Sequence, residues 1–304
     1  MVYTIGEIVL DIIFKTFNNI RAIPGGAMLN TAVSLGRLDI ATSHISLLSE
    51  DKISELVSLF LQENNVKSEF VITDARIKTT LALAFLNKNN DAEYSFYKSE
   101  VEKVLLSFPN IKTGDVILYG SYFSIDKKFH LQIKHFLKNK TKLAIKIYDP
   151  NFRNSHLSHL QRLKPMILEN IKNADIIKGS DEDFINIFNI KSGKEVWRLM
   201  KRYGVKVLFY TKGEQGSEFY SDNIFFQKNT NKINTTSTIG AGDTYTAGII
   251  YFFNKIKVNV NDINLITKEQ WYECIEIAHN FAGKVCQGYD NYLPIEYCNT
   301  IKRI

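Results

Sequence analysis

The residues with the most chemical content form one stretch, Thr238-Ile239-Gly240-Ala241-Gly242-Asp243-Thr244-Tyr245-Thr246-Ala247-Gly248. It is the densest run of small residues in the chain, it carries a carboxylate, and a helical pattern follows at once. Small residues opening a helix leave backbone N–H groups unpaired and unshielded at the positive end of the helix dipole, which makes an anion site. A carboxylate at the same end is out of place unless it has work to do. The pattern points to a phosphate held by the N–H groups of Ala241, Gly242 and Asp243, with Asp243 taking a proton from an attacking hydroxyl.

Four further stretches carry polar residues, two of them with glycine. Pro24-Gly25-Gly26-Ala27-Met28-Leu29-Asn30 is a glycine pair opening a helix. Two glycines admit a ligand close to the backbone, and Asn30 can both donate to and accept from a sugar hydroxyl. Taken alone, the pair reads better as a plain turn with an Asn in the helix. Asp149-Pro150-Asn151-Phe152-Arg153 sets a carboxylate, an amide and a guanidinium on one loop. Arginine suits bidentate contact with phosphate or carboxylate, and a surface ion pair is the plainer use. Thr211-Lys212-Gly213-Glu214-Gln215-Gly216 is either a nucleotide-phosphate turn or a hairpin turn. Ser180-Asp181-Glu182-Asp183 reads as acidic helix capping, with magnesium binding as the sharper alternative. No GxxxxGK[ST] loop occurs, the third glycine of a dinucleotide fingerprint is missing after Gly242, and the six histidines have no metal-ligand spacing.

These residues need elements to position them. From residue 115 onward, strand and helix patterns alternate, which means βαβ units and a parallel sheet covered by helices on both faces. Asp11, Gly120-Ser121, Asp149, Lys178 and Thr211 fall at the expected carboxyl ends of core strands, the edge where open parallel sheets bind ligands. Val2–Leu10 reads as one β run. Ala27–Leu38 reads as a helix with Asn30, Ser34 and Arg37 on a polar stripe, and Asp51–Gln62 as a helix with Ile53, Leu56, Val57 and Phe60 on one face. Helices are also expected over 126–139, 157–173, 181–188, 193–203, from the opening motif to about 254, and over 268–286. Lys78–Asn87 and Ala92–Lys98, joined by Lys88-Asn89-Asn90-Asp91, alternate like an antiparallel hairpin with one wet face. With residues 12–23 they form a small separate sheet. The fold class is therefore α/β, a doubly wound, mostly parallel sheet flanked by helices, with a small β-sheet lid.

At 304 residues the chain can bury a sizeable core, as one α/β domain with an appendage or as two domains. The formal charge of +6 is spread without a basic block, so neither a nucleic-acid nor a membrane face is expected. Cys274, Cys286 and Cys298 suggest free thiols rather than a disulfide frame. The first strand carries Glu7 and Asp11 and has no leader pattern, so the expected location is cytoplasmic.

Taken together, the motifs resemble those of the ribokinase-like (PfkB) carbohydrate kinases over nearly the whole length. Ile239-Gly240-Ala241-Gly242-Asp243-Thr244 resembles that family's C-terminal signature. Gly25-Gly26-Ala27-Met28-Leu29-Asn30, continuing to Gly36-Arg37-Leu38, resembles the N-terminal one, and Lys178-Gly179-Ser180-Asp181-Glu182 and Thr211-Lys212-Gly213 are similar to its nucleotide-side motifs. The resemblance implies a single ribokinase-like kinase domain over 1–304, with a lid at about 12–23 and 78–98. It implies Asp243 as catalytic base, with Gly240, Ala241 and Gly242 as the anion hole. Asp11, Gly25, Gly26, Asn30, Phe96, Asp149 and Arg153 would lie on the sugar side. Lys178, Ser180, Thr211, Gly213, Gly216 and Asn280 would lie around ATP, although His279 suits the adenine-side position as well. Asp183 falls where the family has a Glu linked to Mg²⁺. The Asp149–Arg153 run and Phe96-Tyr97-Lys98 are similar to the fructokinase and 2-keto-3-deoxygluconate kinase branches. Ser237 replaces an Asp tied to a monovalent cation, which puts potassium activation in doubt. The partners implied are a small sugar and ATP; separately, an exposed lid edge could pair with a second copy of the chain.

Overall fold

The computed structural model describes residues 1–16, 19–86, 92–99 and 103–303. In chain order the first half holds β1 (Val2–Ile5), β2 (Val9–Thr16), β3 (Asn19–Gly25), α1 (Ala27–Arg37), β4 (Thr42–Ser49), α2 (Lys52–Glu63), β5 (Val66–Asp74), β6 (Thr80–Leu86), β7 (Ala92–Tyr97), β8 (Val116–Gly120), α3 (His130–Lys140) and β9 (Ile145–Asp149). Then follow α4 (Leu160–Asn173), β10 (Ile176–Ser180), α5 (Asp181–Phe188), α6 (Gly193–Arg202), β11 (Val207–Thr211), β12 (Ser217–Ser221), β13 (Phe225–Lys228), α7 (Ala241–Ile256), α8 (Lys268–Cys286) and α9 (Ile295–Ile301). The architecture is α/β, with mostly parallel pairing in the main sheet and a smaller separate sheet. Two compact units divide the chain. The first comprises Met1–Pro109, Ile233–Ala247 and Asn280–Ile304, and the second Asn110–Lys232 and Gly248–His279.

In the first unit β1, β4 and β5 pair in parallel, and β3-β2-β6-β7 make the small sheet. The apolar run at the N-terminus is not one strand. The chain leaves the parallel sheet after Ile5, and β2 begins at Val9 in the small sheet. Asp11 is therefore mid-strand, opposite Ile23 and Ala82, and not at the carboxyl end of a core strand. Periodicity gives no warning of this, because an apolar run looks the same whichever sheet it joins. The small sheet is mixed rather than antiparallel throughout, since β2 pairs in parallel with β6. Its alternation holds: Ala82 and Ala84 are buried, while Phe85 on the other face is 44% exposed. The expected turn at Lys88–Asp91 falls outside the described residues.

Helix α1 is buried all round from Met28 to Gly36, so Asn30 and Ser34 of the expected polar stripe are inside, while Arg37 is half-buried. Its hydroxyls make this possible: Ser34 donates to the Asn30 carbonyl and accepts from the Leu293 N–H. In α2, capped by Asp51 through Ser54 N–H, Val57 and Leu61 are buried, but Leu56 is 65% exposed.

In the second unit β8, β9, β10 and β11 run in parallel, and β12 and β13 continue the sheet antiparallel. α3 and α4 start later than their apolar patterns suggest. The 3₁₀ turns Tyr122–Ile125 and Asn154–His159 precede them. Phe209, Phe219, Phe253 and Trp271 form an aromatic core, with ring centroids 4.7 Å apart for Phe219 and Trp271.

Candidate active site

The first unit holds the residues expected on the acceptor side. α7 begins directly after Gly240, whose φ of +77° suits a residue without a Cβ. A Cβ there would also overlap the Asn291 backbone. The Ala241 N–H donates to the Thr238 carbonyl at 3.2 Å, which closes the turn into the helix. Of the three N–H groups expected to face an anion, that of Ala241 is therefore already engaged within the turn. Asp243 is 6% exposed, its Oδ2 accepts from Asn30 Nδ2 at 2.8 Å, and its carbonyl accepts from the Thr31 hydroxyl. The first helix thus holds the carboxylate from both ends, by side chain and by backbone.

Asp11 and the glycine pair meet on the same unit. A Cβ on Gly25 would overlap Asp11 Oδ2, so the glycine makes room for that carboxylate. Gly26 precedes α1 with φ +124° and accepts the first helical bond from Asn30 N–H, 2.8 Å. Asp11, 5% exposed, accepts from Asn291 Nδ2 at 2.6 Å. The sequence reading missed Asn291, because one Asn in a loop carries no spacing signal. Phe96 lies in β7 opposite Ala82, and Lys98 pairs with Glu7 at 2.6 Å while standing 5.2 Å from the Phe96 ring centroid.

Ser237 is buried, and its hydroxyl accepts from Ile239 N–H at 3.2 Å. The Cys286 carbonyl accepts from both Thr236 and Ser237 N–H groups. Ser237 thus offers a neutral hydroxyl where an Asp tied to a monovalent cation is expected, so any such ion would lack that carboxylate's charge.

The second unit holds the expected nucleotide side. Lys178, 5% exposed and midway along β10 rather than at its carboxyl end, donates to Asp149 Oδ2 at the end of β9 at 2.9 Å, a buried ion pair. Asp149 was expected with the sugar-side residues and Lys178 with the nucleotide, and the structure brings the two together. Ser121 and Asn151, just past β8 and β9, have φ of +53° and +42°, a region that non-glycine residues enter at a cost and that recurs at functional sites. Ser180 caps α5 in a reciprocal box with Asp183. Asp183 Oδ1 also accepts from Phe152 N–H at 2.6 Å, so this carboxylate ties α5 to the loop bearing Arg153. Arg153 is exposed at the start of the 3₁₀ turn.

With both Asp183 oxygens engaged by protein donors, the side chain fits a divalent ion only through water or through phosphate. Among the described residues no group of three or more His, Cys, Asp or Glu could hold a metal ion. Magnesium in general takes few protein carboxylates and keeps water and phosphate in its shell.

Thr211 ends β11 and donates to the Gly179 carbonyl at 3.4 Å. Gly213 and Gly216 have positive φ in the turn to β12, which closes by Lys212 N–H on the Gly216 carbonyl. His279 shares a 3.0 Å hydrogen bond with Ser217 Oγ, and burial, then nearby Lys228, lowers its pKa to about 4. Asn280 is exposed.

The profile of the pfkB family carbohydrate kinases matches residues 1–296. "Probable fructokinase-6, chloroplastic" of Arabidopsis thaliana is 28% identical over 257 residues, covering 81% of this chain and 65% of the relative, so the chain spans just under two thirds of that protein. A fructokinase of Rhizobium leguminosarum bv. trifolii is 27% identical over 256 residues, covering 81% of this chain and 74% of the relative. The crystal structure of a Vibrio cholerae O395 fructokinase with fructose, ADP and calcium has the same fold, with a TM-score of 0.87 at 17% identity over 98% of this chain and 97% of that one. A family match spanning nearly every residue, on a chain whose Gly-Ala-Gly-Asp turn opens α7, places this protein in the pfkB family of carbohydrate kinases.

Proposed function

We propose that this carbohydrate kinase transfers the γ-phosphoryl group of ATP to a primary hydroxyl of fructose, with Asp243 as general base. The observation that carries this is the buried Asn30–Asp243 pair at the N-terminus of α7. A carboxylate held by an amide donor, next to first-turn N–H groups, is suited to take a proton while those N–H groups stabilise charge on the transferring group. The hydroxyl oxygen bonds to the γ-phosphorus, its proton passes to an Asp243 oxygen, and the bond to the bridging oxygen breaks with ADP as leaving group. When bound, Mg²⁺ neutralises charge on the phosphates. Asp11, Gly25, Gly26 and Asn30 orient the sugar. Lys178, Ser180, Thr211, Gly213 and Gly216 are assigned to the nucleotide.

An acid sugar such as 2-keto-3-deoxygluconate needs a cation at its carboxylate. Of the two candidates, Lys98 is committed to Glu7, which supports a neutral sugar. Arg153 keeps the acid-sugar reading as the second one. ADP release measured on a panel of D-fructose, 2-keto-3-deoxygluconate, D-ribose and adenosine tests both. The highest kcat/KM is expected on fructose. Preference for the acid sugar, lost in Arg153→Gln, would overturn the assignment, and no turnover on any of them would remove the kinase reading of this site.

A further inference from the structure

Two amide–carboxylate pairs lie in the first unit, Asn30 on Asp243 and Asn291 on Asp11. In each, the amide nitrogen faces the carboxylate, and the amide Oδ1 is buried and accepts no hydrogen bond among the described residues. Flipping either amide would set its oxygen against a carboxylate oxygen, so the orientation follows from the chemistry. A buried acceptor left without a donor disfavours the fold. Asn291, fully buried, is therefore not placed for its own sake; what its position achieves is the 2.6 Å contact with Asp11.

The loop bearing Asn291 is anchored on every side. The Asn291 backbone fills the space that a Cβ on Gly240 would need. Asp290 pairs with Arg21 of β3 at 2.9 Å, Tyr292 carries the Arg37 guanidinium 4.5 Å from its ring centroid, and Leu293 N–H donates to Ser34. Residues 290–293 thus touch β2, β3, α1 and the turn before α7, the four places from which the acceptor side is built.

We propose that Asn291 is a positioning residue for sugar binding, fixing the Asp11 carboxylate in the orientation that receives the sugar hydroxyls. This rests on the assignment of Asp11 to the sugar. Asn291→Asp is nearly isosteric and sets two carboxylates in contact. At pH 8 they repel, and at lower pH a shared proton restores an O–H···O bond. The sugar KM of this variant, measured on the panel member the wild type turns over best, is expected to rise at least ~10-fold at pH 8 with the ATP KM unchanged. The ratio to wild type should narrow toward pH 6. Asn291→Ser, whose hydroxyl is too short to reach, should raise the sugar KM without that pH dependence, and it serves where the Asp variant does not fold. A sugar KM equal to wild type in the folded variants, or equal rises in the sugar and ATP KM values, overturns the proposal. A wild type inactive on the whole panel removes the kinase reading first, and this one with it.

Discussion

At the scale of single residues, Asp243 is held more tightly than a surface carboxylate could be. Its side chain takes an amide hydrogen bond, its carbonyl takes a hydroxyl, and both partners are neighbours on α1. Asp243→Asn keeps the size and still offers an oxygen to Asn30, but it cannot accept the proton. Turnover is expected to fall ~10²–10⁴-fold with little change in sugar KM, since general-base catalysis alone is lost. Steady-state rates on fructose check this, and near-normal turnover would remove Asp243 as the base. The Lys178–Asp149 pair is different in kind. A buried ion pair gains little net stability over apolar packing, so its value lies in fixing one geometry between β9 and β10.

At the scale of elements, the glycine pair before α1 does two separate jobs. Gly26 turns the chain through a left-handed conformation, and Gly25 leaves space for Asp11. Gly25→Ala pushes a methyl group into that carboxylate, so the sugar KM should rise ~10-fold or more while the ATP KM stays near wild type. Initial rates with each substrate varied in turn decide it, and parallel changes in both would mean a general loss of structure. Much of this level was legible in the sequence. The β8-to-β11 alternation, α7, α8 and the small sheet follow from periodicity and turn chemistry, and the motif glycines fall where the chain turns. Other features left no local trace. The change of sheet between Ile5 and Val9 occurs inside an apolar run. α9 is only seven residues long, β5 has mixed polarity, and Asn291 acts on a partner 280 residues away. The engagement of the Ala241 N–H by the Thr238 carbonyl is a backbone contact that no side-chain pattern encodes.

At the scale of the whole molecule, pH sensitivity should arise from a core histidine remote from the acceptor-side contacts. His44 lies in β4, bonded through Nδ1 to the Thr4 hydroxyl, and burial lowers its pKa from 6.5 to about 3. The folded chain keeps it neutral while the unfolded chain binds a proton below pH 6.5. Stability is therefore lost as pH falls from 6.5 toward 3, by about 2 kcal/mol at pH 5 from this group alone. Urea unfolding at pH 7 and pH 5 should show this difference, and His44→Gln should reduce it. An identical pH slope in the variant would exclude His44 as the source. The first unit is assembled from three stretches of chain, residues 1–109, 233–247 and 280–304. Asp11 lies in the first of these, Asp243 in the second and Asn291 in the third. On the ribosome, the early strands must wait, without their later partners, for more than half of the chain to be made. The contact between Asp11 and Asn291 can form only once the third stretch has been made. A nascent chain that stops short of Asn291 would thus carry both signature glycine turns and still lack the amide that meets Asp11.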